Sequence, residues 1–170
     1  MAITDEERRE VARWAADSAE RVLPLFEAIA PADPRPREAI KIARAFADGE
    51  RRTRRLFRVA MAAHRAGHEV GDPVALAGAR AASLAAATAN IHGETTIGTL
   101  DHILGSAAYA ALARELTSDG DAAVADEEVR WAIEHASPAI RDLVRRVPAS
   151  VSGRRRLDEI QHLLDVALRE

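Results

Sequence analysis

The sequence contains no cysteine. Disulfides, thiolate nucleophiles and cysteine-held metals are thereby excluded, and a reducing compartment is the natural setting. Aromatic residues are only 4% of the chain, so few large side chains can anchor a core. Lysine is almost missing: Lys41 is the only one among 24 basic residues, the rest being arginine. No apolar stretch approaches the ~18 uncharged residues that a membrane-spanning helix needs. The opening MAITDEERRE is charged from its fifth residue and has no apolar run, so it does not read as a secretory leader. Phosphate-binding glycine loops, nucleophile elbows and zinc-ribbon spacings are absent. A formal net charge of -3 argues against nonspecific nucleic-acid binding.

What the chain has instead is alanine, roughly a fifth of its 170 residues and far above ordinary usage. Alanine loses no side-chain entropy in a helix and lets helix axes approach closely. The expected architecture is one all-α domain over 1–170. It is a bundle or stack of seven or eight helices with short, mainly antiparallel connections. The few anchors are Trp14, Phe26, Phe46, Phe57, Leu104, Tyr109 and Trp131.

Punctuation divides the chain. Thr4 and Glu7 form a capping box at the start of a first helix, and its apolar stripe runs through Val11, Trp14, Ser18, Val22, Leu25 and Ile29. Pro24 predicts a kink or break near Val22. Residues 31–36 are a turn, Pro36 opens a second helix and Gly49 ends it. A third helix is expected over 51–66, with Leu56, Phe57, Ala60, Met61 and His64 on its buried side, and with Gly67 and Gly71 loosening its end. Asp72-Pro73 starts a fourth, to about 91. A loop, GETTIGT, precedes a fifth helix over 100–116. A sixth covers 122–135, Ser137-Pro138 starts a seventh, and an eighth begins near 152. No segment alternates long enough to be a strand.

The residues Trp14-Ala15-Ala16-Asp17, Ala19-Glu20, Val22-Leu23-Pro24-Leu25-Phe26-Glu27 and Asp33-Pro34-Arg35-Pro36-Arg37-Glu38-Ala39-Ile40 resemble the opening of bacterial immunity proteins of the immunity-protein-five-like family. The stretch His102-Ile103-Leu104-Gly105-Ser106-Ala107-Ala108-Tyr109-Ala110 is similar to the family's histidine-led Gly-Ala-Ala-Tyr segment. The resemblance spans roughly residues 10–112 and does not continue past 117. It implies a small, helical, cytoplasmic bacterial protein that neutralises a toxin of a polymorphic toxin system. Relatives carry histidines where this chain has Leu84 and Asn90, and an extra loop at 93–100 precedes His102, so a shared histidine site is not intact here.

Three groups of residues are candidates for function. Arg51, Arg54, Arg55 and Arg58 fall on one helical face and, with Arg52, form the densest charge cluster. They read as a surface for an acidic partner, or as a solvated face paired with Asp48 and Glu50. Glu94, Thr95 and Thr96, between His92 and His102, are the candidate recognition loop, since function concentrates on loops held by rigid scaffolds. His64 and His68 have the i, i+4 spacing of a metal pair, to which His92 or His102 could add a third ligand. Arg65 stands where a zinc-protease motif needs glutamate, so no metal is expected. Arg154, Arg155 and Arg156 repeat the arginine pattern near the last helix. Asp17 and Glu20, beside Arg13 and Arg21, read as surface ion pairs rather than as acid–base catalysts.

These readings favour a non-enzymatic immunity protein whose partner is a cognate protein toxin, with no cofactor, nucleic acid or membrane involved. A homodimer is compatible with the sequence. Two alternatives remain open: a helical metal-binding protein or enzyme using His64 and His68 with His92 or His102, and a homo-oligomeric structural or regulatory domain.

Overall fold

The computed structural model describes residues 2–91 and 97–170. Among them the chain forms eight α-helices and no strand. The helices are α1 (Asp5–Ile29), α2 (Arg35–Ala47), α3 (Arg54–Val70), α4 (Pro73–Ala87), α5 (Ile97–Thr117), α6 (Ala122–Glu134), α7 (Pro138–Arg146) and α8 (Arg156–Arg169), with a 3-10 turn Thr88–Asn90 after α4.

The helix starts follow from local chemistry. Glu7 N–H donates to Thr4 Oγ1 at 3.2 Å and Thr4 N–H donates to Glu7 Oε2 at 2.8 Å, the expected capping box. Asp72 Oδ1 accepts from the amides of Val74 and Ala75 at 2.8 and 3.0 Å, with Pro73 in the first turn of α4. The Pro-Arg-Pro-Arg turn is held by Arg35, 2.7 Å from Asp33 and 2.6 Å from Glu69 at the end of α3. The Arg35 guanidinium holds the Asp33 carboxyl below its ordinary range.

Pro24 does not break α1. The helix runs unbroken from Asp5 to Ile29 with Pro24 inside it. Pro24 and Glu20 are both exposed, so the carbonyl that loses its intrahelical donor lies on the water side. Burial of Val22, Leu23 and Phe26 holds the flanking turns.

The core has two characters. Around α4, which packs against α1, α2, α3 and α5, it is nearly all alanine: Ala15, Ala16, Ala19, Ala43, Ala63, Ala77, Ala81, Ala85, Ala110 and Ala113 are buried together. A helix buried on almost every side, as α4 is, shows no amphipathic stripe. Close approach is marked by Gly67, where a Cβ would stand 3.0 Å from Ala79 Cβ and 3.1 Å from Leu76 Cα. Serines satisfy carbonyls between the layers: Ser83 donates to Ala60 at 2.7 Å, and the Ser106 hydroxyl lies 2.8 Å from the carbonyls of Ala15 and Ala81. The second core uses large side chains, with Trp14, Ile103, Leu104, Ile140, Leu143, Ile160, Leu164 and Leu168 joining α1 and α5 to α7 and α8.

Several boundaries differ from the sequence reading. Helix α3 starts at Arg54, so Arg51 and Arg52 precede it, and it continues through Gly67 to a left-handed cap at Gly71 (φ 72°). Its buried face is Leu56, Ala60, Ala63 and Gly67, which turns Phe57 (58% exposed) and Met61 (37%) outward. Neither belongs to the core, contrary to the expected stripe. Helix α8 begins at Arg156 rather than near 152, because Asp158 bonds back to the Arg155 amide at 3.2 Å.

Candidate partner-binding site

The segment from Arg51 into the first turns of α3 is rich in arginine and empty of acid. Arg54 and Arg55 occupy the first turn, Arg58 follows, and no acidic residue lies in that turn. Thr53 takes the N-cap position, but its side chain makes no capping bond. The positive end of the helix dipole and the guanidinium charges therefore add. Among the described residues Arg51, Arg54, Arg55 and Arg58 have no ion-pair or hydrogen-bond partner, and Arg52 reaches only the Ala89 carbonyl at 3.4 Å. Asp48, which the sequence offered as a partner, lies instead 3.9 Å from Arg13. Glu50 is exposed and forms no ion pair among the described residues.

Many arginines elsewhere are tied down, although Arg65, Arg130 and Arg154 form no ion pair among the described residues. Arg44 joins α2 to α1 through Asp17 at 2.7 Å and through Glu20, replacing the expected local pairing with Arg13 and Arg21. Arg13 bonds Glu10 at 2.7 Å. Arg21 reaches the buried Glu128 of α6 at 2.5 Å and lies over the Trp131 ring, 4.2 Å from its centroid. Arg155 and Arg156, in the second arginine run, pair with Asp158 at 2.6 Å and Glu115 at 2.8 Å. Arg156 thus joins α8 to α5, and Arg155 caps its own helix, so these two do not repeat the open α3 pattern.

The structure splits the α3 arginines between two depressions. A groove of about 860 Å³ is lined by Arg52, Thr53, Arg54, Phe57, Arg58 and Asn90. Arg51 and Arg55 line a smaller one of about 200 Å³, with Phe46 and Glu50. Arg51, placed ahead of the helix, does not share the helical face of Arg54 and Arg58. Asn90 and Phe57 were missed as site residues from sequence. Phe57 was read as core, and Asn90 reaches the groove only because the 3-10 turn brings it to the start of α3. Asn90 Nδ2 is buried and has no hydrogen-bond partner among the described residues.

Among the described residues His64, His68 and His102 are not gathered into a group that could hold a metal. His64 and His68 rings meet edge-on with centroids 4.7 Å apart. The Arg80 guanidinium donates to His64 Nδ1, which occupies that nitrogen and places a positive charge where a metal would sit. His102 is exposed on α5. No group of three His, Asp or Glu side chains suited to a metal occurs among the described residues. Burial and then Arg80, His68 and Arg65 hold the His64 pKa below its ordinary value. Glu94, Thr95, Thr96 and His92 lie outside the described residues.

A family model described as "Imm-5 like putative immunity protein" matches residues 1–139. The chain belongs to this immunity-protein family. The match takes in α1 through α6 and ends in the first turn of α7, so it contains the whole arginine groove. Most of α7 and all of α8 lie beyond the match, yet they complete the large-side-chain core with Ile140, Leu143, Ile160, Leu164 and Leu168. No curated protein and no solved structure matches the chain. No helix among the described residues is long and apolar enough to cross a membrane.

Proposed function

We propose that this member of the family binds a cognate bacterial toxin domain in the cytoplasm of the producing cell. It neutralises the toxin by covering its active site, without catalysis of its own. The observation that carries this reading is the α3 surface: Arg54 and Arg58 without acidic partners among the described residues, beside exposed Phe57 and Met61. Arginine, aromatic residues and methionine are enriched at protein interfaces, while a solvated structural face needs neither the aromatic ring nor the unpaired charge. A toxin must be captured before it acts, and complementary charge accelerates encounter.

Co-expression tests the reading. The native chain is produced with the toxin domain encoded beside its own gene, and survival is scored. Protection together with a stable isolated complex is expected. Loss of viability regardless of the chain would contradict the proposal.

A further inference from the structure

We infer that the groove at the start of α3 receives a short acidic segment of the partner protein, with a carboxylate held by Arg54 and Arg58 and an adjoining apolar side chain resting on Phe57. This rests on the immunity reading and specifies the chemistry of the partner.

Arg52, Arg54 and Arg58 converge on one groove, and none has a carboxylate partner among the described residues. Arginine presents a planar fork suited to a carboxylate, and such charge-assisted bonds are about twice as strong as neutral ones. Asn90 completes the wall of the groove. Phe57, 58% exposed, supplies an apolar ledge in the same groove. The groove therefore offers several positive donors next to one aromatic face, with no acid among the described residues that line it.

The extent of the charge selects the occupant. Asp48 and Glu50, both exposed, stand immediately before Arg51. Their negative charges bound the basic run on its N-terminal side. A polyphosphate backbone needs a basic track along its length, whereas a short acidic loop needs only this patch. The net charge of -3 also disfavours nucleic acid. Arg51 and Arg55 face the other depression and serve as a control with the same charge.

The test uses the purified full chain and needs no toxin. A short fluorescent peptide rich in aspartate and glutamate, with a central leucine, is titrated by anisotropy. Two comparison probes are the same peptide with alanine for leucine and a single-stranded oligonucleotide. The native chain should bind the leucine peptide in a salt-sensitive manner. The double variant Arg54→Glu Arg58→Glu should weaken binding at least about tenfold. Arg51→Glu Arg55→Glu should change it by no more than about twofold, as expected of peripheral charges. Phe57→Ala should erase the preference for leucine over alanine while leaving salt sensitivity. New glutamates at the start of α3 suit its dipole, so folding should persist, which circular dichroism checks.

Absence of peptide binding, equal loss in both double variants, or tighter binding of the oligonucleotide would overturn the inference. Such a failure leaves the co-expression result standing. Conversely, peptide binding with no protection in cells would count against the immunity reading alone.

Discussion

Arg21 of α1 and Glu128 of α6 meet at 2.5 Å, with Glu128 buried (3% exposed) and Arg21 stacked over Trp131. The residues are far apart in sequence, and their contact fastens the first helix to the sixth. Arg114 stands 3.9 Å from the same carboxylate. Removing Arg21 leaves a buried charge with only this distant partner. Arg21→Ala should therefore lower unfolding stability by on the order of 1–3 kcal/mol. Arg21→Ala Glu128→Leu should recover much of the loss, because the uncompensated charge is gone. Urea melts of the two variants check this; equal destabilisation in both would show that the pair matters only through packing.

A second prediction concerns Gly67. Alanine raises helix propensity by ~1 kcal/mol over glycine. Here the added Cβ meets Ala79 Cβ at 3.0 Å and the Leu76 backbone at 3.1 Å, neither of which is the yielding end of a long side chain. Crowding should win, and Gly67→Ala should destabilise by about 1–3 kcal/mol, within the range for overpacked cores. Thermal melting tests the sign.

A third prediction is a pH dependence. His64 has its pKa lowered from the ordinary 6.5, first by burial and then by Arg80, His68 and Arg65. The unfolded chain thus binds a proton more readily than the folded one. The contribution is fully present above the unfolded value of 6.5 and is lost as pH falls from there through the lower folded value. Protonation also removes the lone pair that accepts from Arg80. Melting temperature should drop on acidification below 6.5, and His64→Gln should flatten that part of the profile. The depressed carboxyls, Asp33 and Asp158 from 3.8 and Glu69 from 4.5, lose their contributions only at lower pH, so the two windows separate. An unchanged profile in His64→Gln would contradict this.

A fourth prediction follows from the same contact. With Arg80 on His64 Nδ1, purified protein should hold no stoichiometric zinc or iron. Elemental analysis finding about one equivalent, lost in His64→Ala His68→Ala, would revive the metal-site alternative.

The fold was legible because its punctuation is local. Thr4 with Glu7, Asp72 with Pro73, and Ser137 with Pro138 each cap a helix start, as their spacing implies. Errors arose where tertiary packing chose among local options. Exposure on the water side let α1 pass through Pro24. The contact of α3 with α4 rotated the buried stripe onto Leu56, Ala60 and Ala63 and left Phe57 outside. The arginine cluster was visible as composition, but its division into two depressions was not. That division depends on where α3 starts and on the turn that carries Asn90, neither of which has periodicity to read. Likewise, the pairing of Arg44 with Asp17 and of Arg156 with Glu115 joins distant segments, so sequence proximity gave the wrong partners or none.

The central claim is that α3 captures a toxin domain through charge. Its most direct measurement is the association rate of the neighbouring-gene toxin domain with the native chain and with Arg54→Glu Arg58→Glu, compared across salt concentrations. The native chain should associate rapidly and in a salt-sensitive manner. The variant should associate about tenfold or more slowly, with protection lost and the fold retained. Equal rates and equal protection for the two proteins would remove α3 from the interface and contradict the account.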